Sequence, residues 1–212
     1  MIPKTIHYCW FGPNEMSALH QACIATWRQK LPEYEIVRWD ERNSPMEHPF
    51  VAYYYAKKKW AFVSDFVRLY VLYHHGGIYL DADVEVVRSF DPLLHHHLFI
   101  GYERTDRINS AICGARQGQP FVQACMEFMQ KRQAKKLPYR IAPEVVTAVY
   151  KSGKYDEVSV LPPEAFYPYN PYDSGSVGQF LYCDVTPQTY AVHHWAKSWN
   201  MGMTERLLRK VL

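Results

Sequence analysis

Apolar residues along this chain recur in two patterns: short extended runs, and longer runs with helical spacing. Residues 4–9 (KTIHYC) and 35–39 (EIVRW) have the β-branched and aromatic content of strands. Between them, residues 17–30 place apolar side chains on one side of a helix. The chain therefore opens with a strand, a helix and a strand, which is the beginning of an α/β fold.

The same patterns predict the rest of the secondary structure. Helices are predicted at 49–58, 61–75, 121–131 and 143–151, and strands at 78–80, 84–87, 98–102, 111–115 and 189–193. The segment 161–173 is rich in Pro and Tyr and is predicted to be an ordered loop over a site. Because no internal repeat or domain boundary is visible, we expect one domain at 1–203 and a short basic helix at 204–212.

Composition narrows the functional classes only a little. Of the 212 residues, 48% are hydrophobic, enough for a core, and 16% are aromatic. An aromatic surplus suits surfaces that bind nucleobases or sugar faces, although a Tyr-rich core has the same composition. The net charge of +3 is too small to indicate nucleic-acid binding. It is compatible with a phosphate-bearing ligand or with peripheral association with anionic lipid.

The cysteines favour a reducing compartment. They are five in number and none forms a CxxC pair, which argues against a disulfide framework and a zinc ribbon. Pro3, Lys4 and His7 interrupt the early apolar residues, so we expect no signal peptide. No stretch is long and apolar enough to span a bilayer. We therefore expect a cytoplasmic protein.

An acidic pair, Asp81 and Asp83, directly follows the apolar strand 78–80. In α/β sheets, ligands bind beyond the carboxyl ends of strands. Two carboxylates there need charge compensation, and a hard divalent cation that binds a diphosphate would supply it. An Asp-x-Asp triplet alone is more often a solvated turn. Here the preceding apolar helix also carries Asp65 and Arg68 on one face, and the alternative for that pair is a surface salt bridge.

These residues belong to a longer motif. The run SDFVR at 64–68, followed by GGIYLDADV at 76–84, resembles the signature of the DXD-containing glycosyltransferases of family 32. That family includes yeast-type initiating mannosyltransferases and bacterial capsule and lipopolysaccharide sugar transferases, and its core is similar to the glucosylating domain of large clostridial toxins. IPKTIHYCW at 2–10 resembles the family's opening strand, and AVHHWAKSW at 191–199 resembles its closing motif. The three motifs occur in order along the chain.

The resemblance implies a GT-A fold, a Rossmann-like α/β sandwich that binds a nucleotide-sugar. It implies Mn²⁺ or Mg²⁺ at Asp83, Asp81 and His193, and a catalytic set that also contains Arg68. The implied donor-binding residues are Ile6, His7, Trp10, Asp65, Arg68, Tyr79, Ala82, Ser198 and Trp199. A thinner match suggests Asn109 and Ser110 on the acceptor side.

Two histidine clusters leave alternatives open. His193 and His194 are adjacent, so in an extended segment their side chains point in opposite directions. The family's single His favours His193 as the ligand, and a structural histidine is the alternative. Three consecutive histidines, residues 95–97, cannot easily converge on one ion, so we interpret them as a polar loop.

The predicted function is metal-dependent transfer of a sugar, with retention, from a UDP- or GDP-sugar to a glycan acceptor. By family analogy, the acceptor is a bacterial surface polysaccharide, which can be lipid-linked, made at the cytoplasmic face of the membrane. The basic tail at 204–212 could then contact that membrane peripherally. Two alternatives use the same acidic pair: a nucleotide-sugar hydrolase or nucleotidyltransferase, and a non-catalytic sugar-nucleotide-binding module.

Overall fold

The computed structural model describes residues 1–153, 155–171 and 185–196. Within these ranges the strands are β1 (Thr5–Cys9), β2 (Glu35–Trp39), β3 (Gly77–Leu80), β4 (Val84–Val86), β5 (Leu98–Arg104), β6 (Arg107–Ala115), β7 (Val158–Leu161) and β8 (Ala191–His193). The helices are α1 (Ala18–Lys30), α2 (Pro49–Ala56), α3 (Trp60–His75), α4 (Pro120–Ala134), α5 (Ala142–Tyr150) and α6 (Pro163–Phe166), with a further helical turn at Asp91–Leu93.

Six strands form the central sheet in the order β2–β1–β3–β6–β5–β7. Strand β1 pairs in parallel with β2 and β3, while β6 runs antiparallel to both β3 and β5. The first half is therefore a Rossmann-like β–α–β arrangement in which the carboxyl ends of β1 and β3 lie at the same edge. A separate two-stranded sheet pairs β4 with β8 and aligns Val84 with His193.

Helices cover both faces of the central sheet. On one face, α2, α3, α4 and α5 enclose a core that includes Phe66, Leu72 and Val145. On the other face, α1 packs with β4, and the fully buried Trp27 donates its indole N–H to the Val84 carbonyl at 2.7 Å. The structure is thus an α/β sandwich, as the sequence predicts. None of the described helices has the length and apolarity that crossing a bilayer requires.

The turn between α3 and β3 depends on two glycines with positive φ. Gly76 has φ of 66° and Gly77 has φ of 97°, a region that side chains rarely adopt. A Cβ atom on Gly77 would lie 2.7 Å from the Thr5 carbonyl oxygen, so the close approach of β1 to β3 also requires glycine. This turn carries the chain directly from α3 into the strand that ends at Asp81.

Most predicted elements are present, with shifted ends. The predicted loop at 161–173 contains the short helix α6, and the strand β7, which the sequence pattern does not predict, ends at the first residue of that segment. β7 is an edge strand of only four residues, parallel to β5, and the two prolines that follow it at once favour a loop in the sequence pattern. The predicted helix at 204–212 lies outside the described residues.

His7 is a core residue of β1. Its Nδ1 accepts the indole N–H of Trp39 at 3.1 Å, so its Nε2 carries the proton and donates to the Gly76 carbonyl at 2.9 Å. Burial lowers the pKa of His7 from 6.5 to about 4. The neutral imidazole therefore links β1 and β2 to the turn after α3.

The neutral state of His7 predicts a stability loss in mild acid. Between pH 6.5 and 4 the unfolded chain binds a proton that the folded chain does not, so stability falls as the pH falls through this window. From pH 7.5 to pH 5 the loss attributable to His7 is about 2 kcal/mol. Urea denaturation at both pH values should show this loss in the wild type and a smaller one in His7→Gln. The exposed-site control His95→Gln should behave as the wild type, and an unchanged loss in His7→Gln would contradict the assignment.

Candidate active site

The acidic pair, Asp81 and Asp83, lies in the turn between the end of β3 and the start of β4. The Asp81 backbone N–H donates to the Ala111 carbonyl at 2.8 Å, which extends the pairing of β3 with β6 by one residue. The Asp81 carboxylate accepts the Tyr79 hydroxyl at 3.0 Å, and its side chain is 26% exposed. The turn closes with a bond from the Val84 N–H to the Asp81 carbonyl, which sets Asp83 above the strand end.

Strand β8 brings His193 to Asp83. The His193 Nε2 lies 3.3 Å from Asp83 Oδ1, and Asp83 Oδ2 accepts the Ala196 N–H at 2.8 Å. The His194 N–H donates to the Asp83 carbonyl, while the His194 side chain points away and contacts Glu85 at 2.9 Å. The structure therefore places His193, and not His194, beside the acidic pair.

Asp81, Asp83 and His193 form a possible metal-binding group. One ligand atom from each lies within 4.8 Å of the other two. Two carboxylates and an imidazole are a suitable donor set for Mn²⁺ or Mg²⁺. The His193 Nδ1 is buried without a hydrogen-bond partner among the described residues. Among these residues the ring is therefore held only through its Nε2, beside Asp83. These residues therefore fit a divalent cation.

Charges in this group perturb one another. Burial lowers the pKa of His193, but Asp83 beside it outweighs burial, and the net pKa is raised. Burial raises the pKa of Asp83, and His193 reverses this to a net lowering. The pKa of Asp81 is raised by burial, against the opposing charge of Arg68. The arrangement of the three side chains therefore favours a positive charge located between them.

Arg68 holds a second carboxylate cluster together below the metal-binding group. Its Nη2 lies 2.9 Å from Asp65 Oδ1 and 3.1 Å from Asp81 Oδ1, and its Nη1 donates to the Ser110 carbonyl at 3.2 Å. The other Asp65 oxygen accepts the Tyr139 hydroxyl at 2.7 Å. Burial raises the pKa of Asp65, and the charge of Arg68 opposes that rise. The guanidinium is thus occupied by protein groups and acts by positioning both carboxylates.

A cavity of about 510 Å³ opens above these clusters. At one end Trp10 is half-buried, with its indole N–H donating to the Asn14 carbonyl and its ring 4.8 Å from that of His20. Asp65, Arg68 and Tyr79 line the floor, together with the metal-binding group. The cavity therefore combines an aromatic end with a charged floor, an arrangement suited to a nucleobase joined to a diphosphate and a sugar.

Glu103 is a buried carboxylate in the lining of this cavity. Its oxygens contact Arg107 Nε and Asn109 Nδ2, both at 2.7 Å. Burial raises the pKa of Glu103, and the charge of Arg107 opposes that rise. The Asn170 side chain donates to the Glu103 carbonyl at 2.9 Å and joins this cluster from the segment after α6. Asn109 thus reaches the cavity, as predicted for the acceptor side, and its amide also positions Glu103.

Several predicted site residues lie elsewhere. Ile6 is fully buried in the core, and His7 is bonded to Gly76 and Trp39, so neither lines the cavity. Ser110 is also buried away from the cavity, where its carbonyl accepts from Arg68. The resemblance covers whole strands, but only some side chains of a strand face the ligand side, so it includes residues that do not line the cavity. Ser198 and Trp199 lie outside the described residues.

The predicted residues that the structure brings to the cavity wall come from five separate segments. They are Trp10, Asp65, Arg68, Tyr79, Asp81, Ala82, Asp83, Asn109 and His193.

Sequence reasoning did not identify four further residues at this site. Glu103, Tyr139, Asn170 and Trp195 contact the cavity or its charged residues. Trp195 packs 4.3 Å from the His193 ring and has φ of 56°, a strained value for a tryptophan that supports a functional position. Trp195 stands within the closing motif and Asn170 within the segment 161–173 that is predicted to lie over a site, whereas Glu103 and Tyr139 have no local signature.

Comparison with known proteins agrees with this geometry. The family described as the glycosyltransferase sugar-binding region containing a DXD motif matches residues 17–100. Inositol phosphoceramide mannosyltransferase 3 of Schizosaccharomyces pombe is 31% identical over 129 residues, which cover 57% of this chain and 35% of that protein. Lactosylceramide 4-alpha-galactosyltransferase of Rattus norvegicus is 27% identical over 191 residues, covering 79% of this chain and 51% of that protein. The chain therefore spans about a third to a half of these relatives.

A solved structure shows the same fold. The PaToxG glycosyltransferase matches with a TM-score of 0.61 at 21% identity, covering 72% of this chain and 70% of that one. This likeness confirms the predicted GT-A arrangement. The family match and the relatives confirm the resemblance drawn from the motifs: residues 17–100 are similar to the sugar-binding region of the DXD-containing glycosyltransferases.

Proposed function

We propose that this protein transfers a sugar from a nucleotide-sugar donor, a UDP- or GDP-sugar, to a hydroxyl of a glycan or glycolipid acceptor. A divalent cation, Mn²⁺ or Mg²⁺, would be held by Asp81, Asp83 and His193. The observation that carries the proposal is the convergence of these three side chains from distant parts of the chain on the wall of one large cavity.

The donor lies along the cavity floor in this proposal. The nucleobase packs against Trp10 at the aromatic end, where a flat ring can stack. The diphosphate lies at the metal-binding group, and the donor sugar reaches Asp65, whose position is fixed by Arg68 and Tyr139. Charged groups held in place before the donor binds stabilise developing charge without reorganisation.

Transfer breaks the bond from the anomeric carbon to the diphosphate and forms a bond to the acceptor oxygen. When bound, the cation would neutralise charge on the leaving diphosphate. Following the resemblance, we expect retention by a same-face displacement, in which a leaving phosphate oxygen takes the acceptor proton. Glu103 is bound to Arg107 and Asn109 and is poorly placed to act as a free nucleophile. Detection of a glycosylated Glu103 by mass spectrometry would overturn this route.

The relatives suggest where the acceptor belongs. Their names describe transfer to inositol phosphoceramide and to lactosylceramide, and both of these acceptors are lipids. We extend this to a lipid-linked or membrane-associated acceptor for the present chain. The bacterial surface polysaccharide and the cytoplasmic location at the membrane stay predictions, the latter supported by four buried free cysteines.

Removal of one metal ligand is the first test. Asp83→Asn preserves the shape of the side chain but removes its charge, so UDP or GDP should no longer raise the melting temperature in the presence of Mn²⁺. Sugar transfer should fall by about 100-fold or more, because the metal site loses the negative charge of one of its ligands. Thermal unfolding with each nucleotide, with and without Mn²⁺, measures the first effect and identifies the base.

The control is Asp156→Asn, which changes an exposed aspartate away from the cavity and should bind and transfer as the wild type. Full activity in Asp83→Asn would refute the metal assignment. Equal release of free sugar with and without acceptor would favour a hydrolase. Tight nucleotide binding without turnover on any acceptor would favour a non-catalytic module.

Arg68 should be required for folding as well as for donor binding. Arg68→Met leaves Asp65 and Asp81 buried beside each other without their cation, at a cost of about 3 kcal/mol or more. Arg68→Lys keeps the charge and should lose less stability, although it cannot contact both carboxylates with a fixed fork. Urea denaturation of both variants measures the difference. Wild-type stability in Arg68→Met would show that the two carboxylates do not depend on this ion pair.

Glu103 should affect the acceptor more than the donor. Glu103→Gln removes a charged hydrogen-bond acceptor from the cavity lining beside Arg107, so the acceptor KM should rise by about tenfold. The affinity for the nucleotide with Mn²⁺ should stay unchanged. Glu157→Gln, on an exposed loop, is the matched control. A loss of nucleotide affinity in Glu103→Gln, without a change in acceptor KM, would place Glu103 on the donor side instead.

A further inference from the structure

A second cavity of about 630 Å³ lies beside the first, bounded by the end of α4, the segment that follows it, and α5. Arg107 and Pro143 line both cavities. The second cavity therefore lies next to the part of the first where Glu103 contacts Arg107. We call this second cavity the basic groove. Its charged lining consists of Arg107, Arg132, Arg140, Lys151, Asp106 and Glu144.

Positive charge dominates the basic groove. Arg107 is neutralised by Glu103, and Asp106 is bound to Arg104 outside the groove. In the part of the chain that the structure describes, Arg132, Arg140 and Lys151 form no ion pair. Three cations line one concave surface, and Arg140 and Lys151 are exposed.

Two of these cations lie near the same aromatic ring. The guanidinium groups of Arg132 and Arg140 are 5.7 and 6.0 Å from the centre of the same Phe128 ring. Arg132 donates from Nη2 to the Pro138 carbonyl at 2.9 Å, while its Nε is buried without a partner among the described residues. Burial and then the charge of Arg140 lower the pKa of Arg132, against the smaller opposing effect of Glu144 in the same groove. An anion between the two guanidinium groups would relieve this repulsion, and their planar donors suit phosphate oxygens.

We propose that the basic groove binds the phosphate of a phosphate-bearing acceptor, with Arg132, Arg140 and Lys151 as its contacts. This inference rests on the proposed function, because the acceptor's reactive hydroxyl must extend from the groove past Arg107 into the donor cavity. The two cavities are adjacent along that path, because Arg107 and Pro143 line both of them. The phosphate can belong to a lipid headgroup or to a soluble sugar phosphate.

Two double variants distinguish phosphate binding in the groove from general attraction to surface charge. Arg140→Gln/Lys151→Gln removes two groove cations whose side chains form none of the described hydrogen bonds. Lys135→Gln/Lys136→Gln removes the same charge from exposed positions just outside the groove. Binding of inorganic phosphate, without metal, is measured by calorimetry for both variants and the wild type. UDP and GDP binding with Mn²⁺ is measured in parallel.

The groove variant should bind phosphate at least about tenfold more weakly than the wild type, while the control binds normally. Nucleotide binding should be equal in all three proteins, so a failure of the groove and a failure of the donor site are distinguishable. Absence of saturable phosphate binding in the wild type, or equal binding by all three proteins, would overturn the proposal. Equal weakening in both variants would also overturn it, because it would indicate diffuse charge attraction.

The source of the phosphate is tested with phosphatidylcholine vesicles, with and without phosphatidylinositol. Vesicle binding that needs phosphatidylinositol and is lost only in the groove variant supports a lipid headgroup. Phosphate binding without vesicle binding supports a soluble phosphate-bearing acceptor. Vesicle binding lost in the control and kept in the groove variant would contradict the groove as the contact surface.

Discussion

The candidate site depends on one buried cation, the guanidinium of Arg68, between the carboxylates of Asp65 and Asp81. Asp65 is buried and Asp81 is partly exposed at the cavity, and their carboxylates repel each other, so a cation between them stabilises both charges. Arg68 also donates to the Ser110 carbonyl, which ties α3 to β6. The same contacts that stabilise the charges therefore fix the distance between the helix and the strand that ends at the acidic pair.

A second constraint is the pairing of β4 with β8. The two strands are more than a hundred positions apart in sequence, and their register aligns Val84 with His193. A shift of one residue would turn His194 toward Asp83 and His193 toward Glu85, since neighbouring side chains face opposite sides. The bonds from the His194 and Ala196 N–H groups to Asp83 lock this register. The small sheet therefore completes the metal-binding group and joins β8 to the segment that directly follows β3.

The sequence predicted this arrangement unevenly, for physical reasons. Periodicity located α1, α3 and the strands up to β6, because each buries a clear apolar face. The motif located Asp81, Asp83 and Arg68, because such charges beside apolar runs are costly without a function. It did not locate Glu103 or Tyr139, whose partners Asn109 and Asp65 are known only once the strands and helices are packed. Likewise, His7 belonged to the motif, yet only the contact with Trp39 shows that it supports the core.

Arg107 explains how two cavities of different character could serve one reaction. Its guanidinium neutralises Glu103 at the donor cavity while its side chain also lines the basic groove. Asp81 and Asp83 in the first cavity suit a cation, whereas the groove has an excess of arginine and lysine and suits an anion. A diphosphate with its metal and a phosphate-bearing acceptor would then be attracted to separate cavities. Electrostatic separation of this kind would keep the acceptor phosphate from competing for the metal-binding group.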